Sequence, residues 1–155
     1  MKCILIFLSF FTASFLFSQD TLKFDGDSLV EFAKKQLGVT YKFGTSNPGK
    51  SFDCSGFVQY IYRSFGVVSP RSSSAYLNLG KQVELNQCKK GDCLVFTGTN
   101  SSVRSPGHVG IVIENLEGQI KFIHCSSSRN HYGVVISSLN ESYSKRLLQV
   151  RSVYD

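Results

Sequence analysis

The sequence predicts an α+β domain, with N-terminal helices packed on an antiparallel β-sheet. Apolar residues recur at helical spacing as far as Gly80, β-prone runs follow it, and no strand–helix–strand alternation appears. A chain of 155 residues is one ordinary domain, able to bury roughly 70% of the surface it exposes when unfolded. Hydrophobic residues at 42%, charged residues at 18%, three prolines and no internal repeat exclude disordered, collagen-like and solenoid proteins.

The first segment is separate from the domain. Met1-Lys2 is a short positive start, Cys3 to Phe17 is almost unbroken apolar chain, and Ser18-Gln19-Asp20 turns polar after a small residue fit for signal-peptidase cleavage. Residues 1–18 are therefore expected to be a secretory signal peptide, and residues 19–155 a single domain. Spanning a bilayer needs about 20 apolar residues, so no stable membrane anchor is expected after cleavage. Cys3 precedes the apolar stretch instead of ending it, which argues against lipid attachment there.

Asp27-Ser28, followed by Leu29, Val30, Phe32, Ala33 and Leu37, predicts a capped amphipathic helix ending at Gly38. Gly44 to Ser51 is a loop rich in turn formers. Phe57, Val58, Ile61, Tyr62 and Phe65 predict a second helix from Cys54 to about Phe65, closed by Gly66, and Ser72 to Leu79 a short third one. Strands are expected at 94–96, 109–113, 120–123, 134–136 and 147–150, with a hairpin loop over Asn115 to Gly118.

Export bears on the cysteines. Cys54, Cys88, Cys93 and Cys125 remain after cleavage, and an even number in an oxidising compartment invites two disulfides. Cys88 and Cys93 flank a polar turn that a local bridge could close, and a Cys54–Cys125 pair would remove a free thiol from any chemistry. The net charge of +6 comes from scattered bases without aromatic interleaving. It fits attraction to an anionic surface and gives no sign of nucleic-acid binding.

Cys54 stands between a glycine-rich loop and a helix. The positive end of the helix dipole favours a thiolate there, and Asp53 or Ser55 can cap the same end. His108 precedes one predicted strand and His124 ends its neighbour, so antiparallel pairing across the hairpin puts both imidazoles at one end of the sheet. A nucleophile, a base and a group orienting that base are what thiol hydrolysis needs. His131, in a polar loop, reads as surface.

Asp53-Cys54-Ser55-Gly56-Phe57-Val58-Gln59, Gly107-His108-Val109-Gly110-Ile111 and Phe122-Ile123-His124 resemble the three motifs of the NlpC-type cell-wall peptidases, which are papain-like cysteine peptidases of bacteria. Tyr41-Lys42-Phe43-Gly44, Pro70-Arg71-Ser72-Ser73 and Gly91-Asp92 follow the same family order. The resemblance implies a papain-like fold, Cys54 as nucleophile, His108 as general base and His124 as its orienting group. It also implies that Tyr41 helps hold the oxyanion, and that Asp53 and Ser55 line the pocket for the peptide's amino end. The implied substrates are peptidoglycan stem peptides or muropeptides, cut at the γ-D-glutamyl–diaminopimelate bond by a monomer without metal or cofactor. Thr45 after Gly44, Cys93 after Asp92 and Cys125 after His124 depart from the family pattern.

Three other readings compete: an amidase or acyltransferase using the same pair, an inactive disulfide-stapled wall-binding domain, and a zinc site built on Cys54, His108, His124 and one more cysteine. The last lacks a close ligand pair of the CxxC or HExxH kind. Export places the protein in the periplasm or outside the cell.

Overall fold

The computed structural model describes residues 25–153; the expected signal peptide lies outside the described residues. Helix α1 (Gly26–Lys34) is followed by three two-residue strands, β1 (Thr40–Tyr41), β2 (Ser46–Asn47) and β3 (Ser51–Phe52), and then by helix α2 (Cys54–Ser64). A 3₁₀ turn at Ser73–Asn78 leads to β4 (Lys81–Val83), and β5 (Cys93–Thr97), β6 (Pro106–Leu116), β7 (Gln119–Ser128) and β8 (His131–Ser138) come next. Helix α3 (Glu141–Arg146) and β9 (Leu147–Ser152) are the last elements of the described residues. The main sheet has the order β4-β9-β5-β6-β7-β8, antiparallel at every pairing. The α+β architecture is the expected one.

Several boundaries differ from the sequence reading, each for a local reason. Asp25 caps α1, because its carboxylate accepts the amides of Asp27 and Ser28, both at 3.1 Å. The segment expected as a third helix makes only 3₁₀ turns. The glycine-rich loop forms a small sheet, β1-β3-β2, and Asp53 N donates to the Thr45 carbonyl at 3.0 Å. Strand β4 and helix α3 are too short and too polar to stand out by periodicity. The β6–β7 hairpin turns where expected, on Glu117 (φ 51°) and Gly118 (φ 87°), with positive φ at both positions as a two-residue I′ turn requires.

The sheet separates two apolar layers. Leu29, Val30 and Ala33 of α1 and Phe57, Val58 and Ile61 of α2 pack on the face carrying Cys93, Val95, Val109, Ile111, Ile123 and Cys125. Leu94, Phe96, Val112 and Phe122 point the other way, under Leu139, Tyr143 and Leu147. Alternation along β5, β6 and β7 assigns these residues their layers.

That alternation also settles the cysteines. All four described cysteines are free thiols. Cys88 lies in the layer under Tyr143 and Cys93 in the layer under the helices, so the local bridge allowed by their spacing does not form. Cys125, next in sequence to His124, points to the opposite face, with Sγ 3.2 Å from the Phe52 carbonyl. Burial pushes the Cys125 thiol up to about 12.

Candidate active site

The N-terminus of α2 positions the thiol. Asp53 caps the helix by accepting Gly56 N at 2.7 Å, and the same carboxylate accepts Gly44 N at 2.8 Å, tying the helix start to the loop before it. A Cβ at Gly56 would stand 2.2 Å from the Thr45 carbonyl, so only glycine lets loop and helix approach this closely. Cys54, 9% exposed, then sits on the floor of a cleft of about 460 Å³. Tyr41, Phe43, Asp53, Ser55, Arg71 and Gly107 are among its walls.

One side of this cleft carries a charge pair. Arg71 grips Asp53 with both terminal nitrogens, Nη1 to Oδ1 at 2.8 Å and Nη2 to Oδ2 at 2.6 Å, and Nη1 also donates to Ser55 Oγ at 3.0 Å. Burial works to raise the Asp53 carboxyl, but the guanidinium and the amides of Gly56 and Gly44 outweigh it and hold the group below its ordinary range. Arg71 was legible in the sequence only as part of Pro70-Arg71-Ser72-Ser73; its partner is a product of the fold.

The two imidazoles are brought together. His108 Nε2 and His124 Nδ1 are 2.9 Å apart, with the rings nearly perpendicular. Both histidines stand inside their strands, not at the strand ends expected from sequence. What brings them into contact is Gly110: a Cβ there would lie 2.7 Å from the Phe122 ring and 3.1 Å from His124 Cβ. Gly110→Ala is therefore expected to lower the urea midpoint by the equivalent of about 1–3 kcal/mol and to lower turnover through displacement of His124. Denaturation and steady-state rates measured on the same preparation check both effects.

Burial and the nearby Arg146 guanidinium depress both histidines, His108 well below its ordinary value, with His124 adding to the effect on it, and His124 to about 3. Arg146 donates to the Thr97 carbonyl at 3.1 Å and lies over the Tyr143 ring. Below about pH 6.5 the unfolded chain takes up protons that the folded histidines refuse. Their contribution to stability is thus whole above that pH and is lost as pH falls toward about 3. Asp53 acts in a lower window, below the ordinary carboxylate value of 3.8. Urea midpoints are expected to fall more steeply from about pH 7 to about pH 5 in the wild-type protein than in His124→Gln. Parallel curves would contradict buried, neutral imidazoles.

Thiol and imidazole approach from the two sides of one strand. Cys54 Sγ is 3.5 Å from Ser73 Oγ and 3.9 Å from the carbonyl of Gly107, the residue before His108. No hydrogen bond joins Cys54 to His108 among the described residues, and Gly107, not His108, lines the cleft. Because Nε2 of His108 is engaged by His124, Nδ1 is the nitrogen left for the thiol. That engagement also turns the histidines toward each other instead of toward a common cation, and no group of three or more His, Cys, Asp or Glu among the described residues is arranged to hold a metal.

Tyr41 lines the cleft, and burial, with Cys54 and Asp53 nearby, raises its hydroxyl. It is braced by Tyr132, which packs edge-on against its ring and donates to its carbonyl at 2.9 Å. Tyr132 and Ser73 carry no sequence signal for these contacts. His131 is exposed, as expected.

Helices laid on an antiparallel sheet, with a cysteine opening the central helix, define a papain-like α+β domain. The NlpC/P60 family pattern matches residues 38–152. A γ-DL-glutamyl hydrolase of Bacillus subtilis is 38% identical over 118 residues, 76% of this chain and 26% of that protein. Murein DD-endopeptidase MepS/Murein LD-carboxypeptidase of Escherichia coli is 40% identical over 110 residues, 70% of this chain and 52% of that protein. Among solved structures, an NlpC/P60 family protein from Bacillus cereus superposes with a TM-score of 0.74 at 29% identity, covering 86% of this chain and 41% of that one. The chain belongs to the NlpC/P60 family. It spans about half or less of the length of these relatives. Among the described residues no helix is long and apolar enough to cross a membrane.

Proposed function

We propose that this protein is a cysteine peptidase that hydrolyses peptidoglycan stem peptides at the γ-D-glutamyl–diaminopimelate bond, with Cys54 as nucleophile and His108 as base. The observation that carries the reading is the position of the thiol, at a capped helix N-terminus on a cleft floor, beside the strand that bears a hydrogen-bonded histidine pair. His108 Nδ1 takes the thiol proton, and sulfur attacks the scissile carbonyl. The proton then passes to the departing amine, leaving a thioester. Water, deprotonated by the same nitrogen, releases the acid and restores the thiol. Tyr41 steadies the oxyanion. Asp53, kept ionised by Arg71, and Ser55 face the substrate's amino end. Acting as an exported monomer, in the periplasm or outside the cell, the enzyme would meet wall fragments directly.

A second cleavage site is favoured by one observation, the DD-endopeptidase name of a relative at 40% identity. Mass spectrometry of purified muropeptides after incubation separates the two. A split between D-glutamate and diaminopimelate supports the proposal, and a split at the D,D cross-link replaces it. A protein that cleaves neither, and whose Cys54 resists iodoacetamide, would refute the peptidase reading.

A further inference from the structure

We propose that Ser137 on β8, backed by Tyr143 of α3, is a positioning group that sets the tautomer of His124 and thereby keeps His108 in its base form. The inference rests on the reading above that His108 serves Cys54, and it adds residues that no family motif names.

The geometry is a chain of hydrogen bonds leading away from the cleft. His108 Nε2 meets His124 Nδ1 at 2.9 Å, and His124 Nε2 meets Ser137 Oγ at 3.0 Å, with Tyr143 Oη at 3.5 Å from the same nitrogen. Two neutral imidazoles in series allow only two proton arrangements. In one, His108 carries its proton on Nε2 and donates to His124 Nδ1; His124 must then carry its own on Nε2 and donate to Ser137. In the other, every proton moves to the opposite nitrogen, and His108 Nδ1 becomes N–H. Only the first leaves a lone pair on the nitrogen available to the thiol.

Ser137 has the properties this role requires. It pairs across the strands with Phe122, which places its hydroxyl diagonally beside His124 on an otherwise apolar face formed by Phe122, Leu139 and Tyr143. His124 is fully buried, stacked on Phe122 and edge-on to Tyr143. The Ser137 hydroxyl, the nearer of the two at hand, can meet Nε2 in either arrangement. A buried N–H left without an acceptor, at a cost of about 1–3 kcal/mol, is tolerated less well than a bare ring nitrogen. The Nε2–H tautomer is therefore the one that depends on the hydroxyl. Nε2–H is also the more stable tautomer of a free neutral imidazole, so the acceptor reinforces an intrinsic preference at both rings. Ser137 is silent in the sequence because a serine in a β-strand carries no signature, and Tyr143 because α3 is too short and polar to show a period.

The test combines tautomer and rate. Nitrogen-15 NMR of the imidazoles in the full mature protein at neutral pH is expected to show His124 protonated on Nε2 and not on Nδ1. Ser137→Ala should populate the other tautomer, lower kcat on muropeptides about tenfold with KM within about twofold, and slow alkylation of Cys54 by iodoacetamide, the scale of one lost hydrogen bond. Ser137→Thr, which keeps the hydroxyl, should restore all three. Tyr143→Phe should have a smaller effect alone and a larger one in the Ser137→Ala background. A wild-type His124 protonated on Nδ1 overturns the proposal, as does a Ser137→Ala protein with unchanged tautomer and kcat. If Ser137→Ala does not fold, the wild-type tautomer and the Tyr143→Phe variant still decide. The NMR arm needs no turnover, so a protein inactive on muropeptides would count against the peptidase reading alone.

Discussion

Cys54→Ala is expected to release no product from muropeptides while its fold stays intact. The loss should be complete within detection, because thioester formation has no other candidate nucleophile in the cleft. Ser55 Oγ is held between Asp53 and Arg71, Ser72 Oγ meets Ser74 Oγ, and Ser73 Oγ meets the Cys54 sulfur itself. Removing a nucleophile that acts as a unit with its base typically costs about as much as removing the whole set, on the order of 10⁶-fold. The fold should tolerate the change, since among the described residues the polar contacts of Sγ are two long ones and its loss leaves a small gap beside the cleft. A circular dichroism spectrum and thermal midpoint near wild type, with no product mass, are the expected pair of results. Product at the wild-type rate would remove Cys54 from the mechanism.

His108→Gln is expected to be nearly as severe, lowering kcat by about 10³-fold or more with KM little changed. Glutamine is close in size, but it offers no nitrogen that can take a proton from the thiol. The corresponding change at His124 should cost less in rate, because the base would survive and only its orientation would be freed. It should cost more in stability, since His124 is fully buried and His108 keeps partial access to solvent. Steady-state kinetics and urea denaturation on both variants separate the two roles. If both lose the same rate with the same KM, the histidines act as one unit and the assignment of base and orienting group collapses.

Much of this candidate site is legible in the sequence because its residues fall in local patterns. Asp53-Cys54-Ser55-Gly56 places a thiol at a helix start, and the two histidine motifs flank a hairpin whose turn residues are unambiguous. Proximity itself was not legible. His108 and His124 are 16 positions apart, and their contact depends on a register in which Gly110 leaves room for a ring. The Arg71–Asp53 pair spans 18 positions of loop and helix, and no periodicity links them. Phe43, 86% exposed on the rim of the cleft, is legible in sequence only as part of Tyr41-Lys42-Phe43-Gly44, and its place on the rim is a product of the fold.

The sequence by itself determined the two N-terminal helices, the strands β5 to β9 after them, the hairpin loop over Asn115 to Gly118, and the cysteine and two histidines of the candidate site. Those features depend on short-range physics: spacing of apolar side chains, capping, and the positive φ of a tight turn. Only the tertiary structure decided which faces meet. It put Cys88 and Cys93 on opposite sides of the sheet, turned Cys125 away from His124, and aimed the histidine pair at Ser137 and Tyr143. Strand pairing brings distant residues to one face or parts neighbours to two, and a shift of register by one residue would have exchanged every one of those contacts.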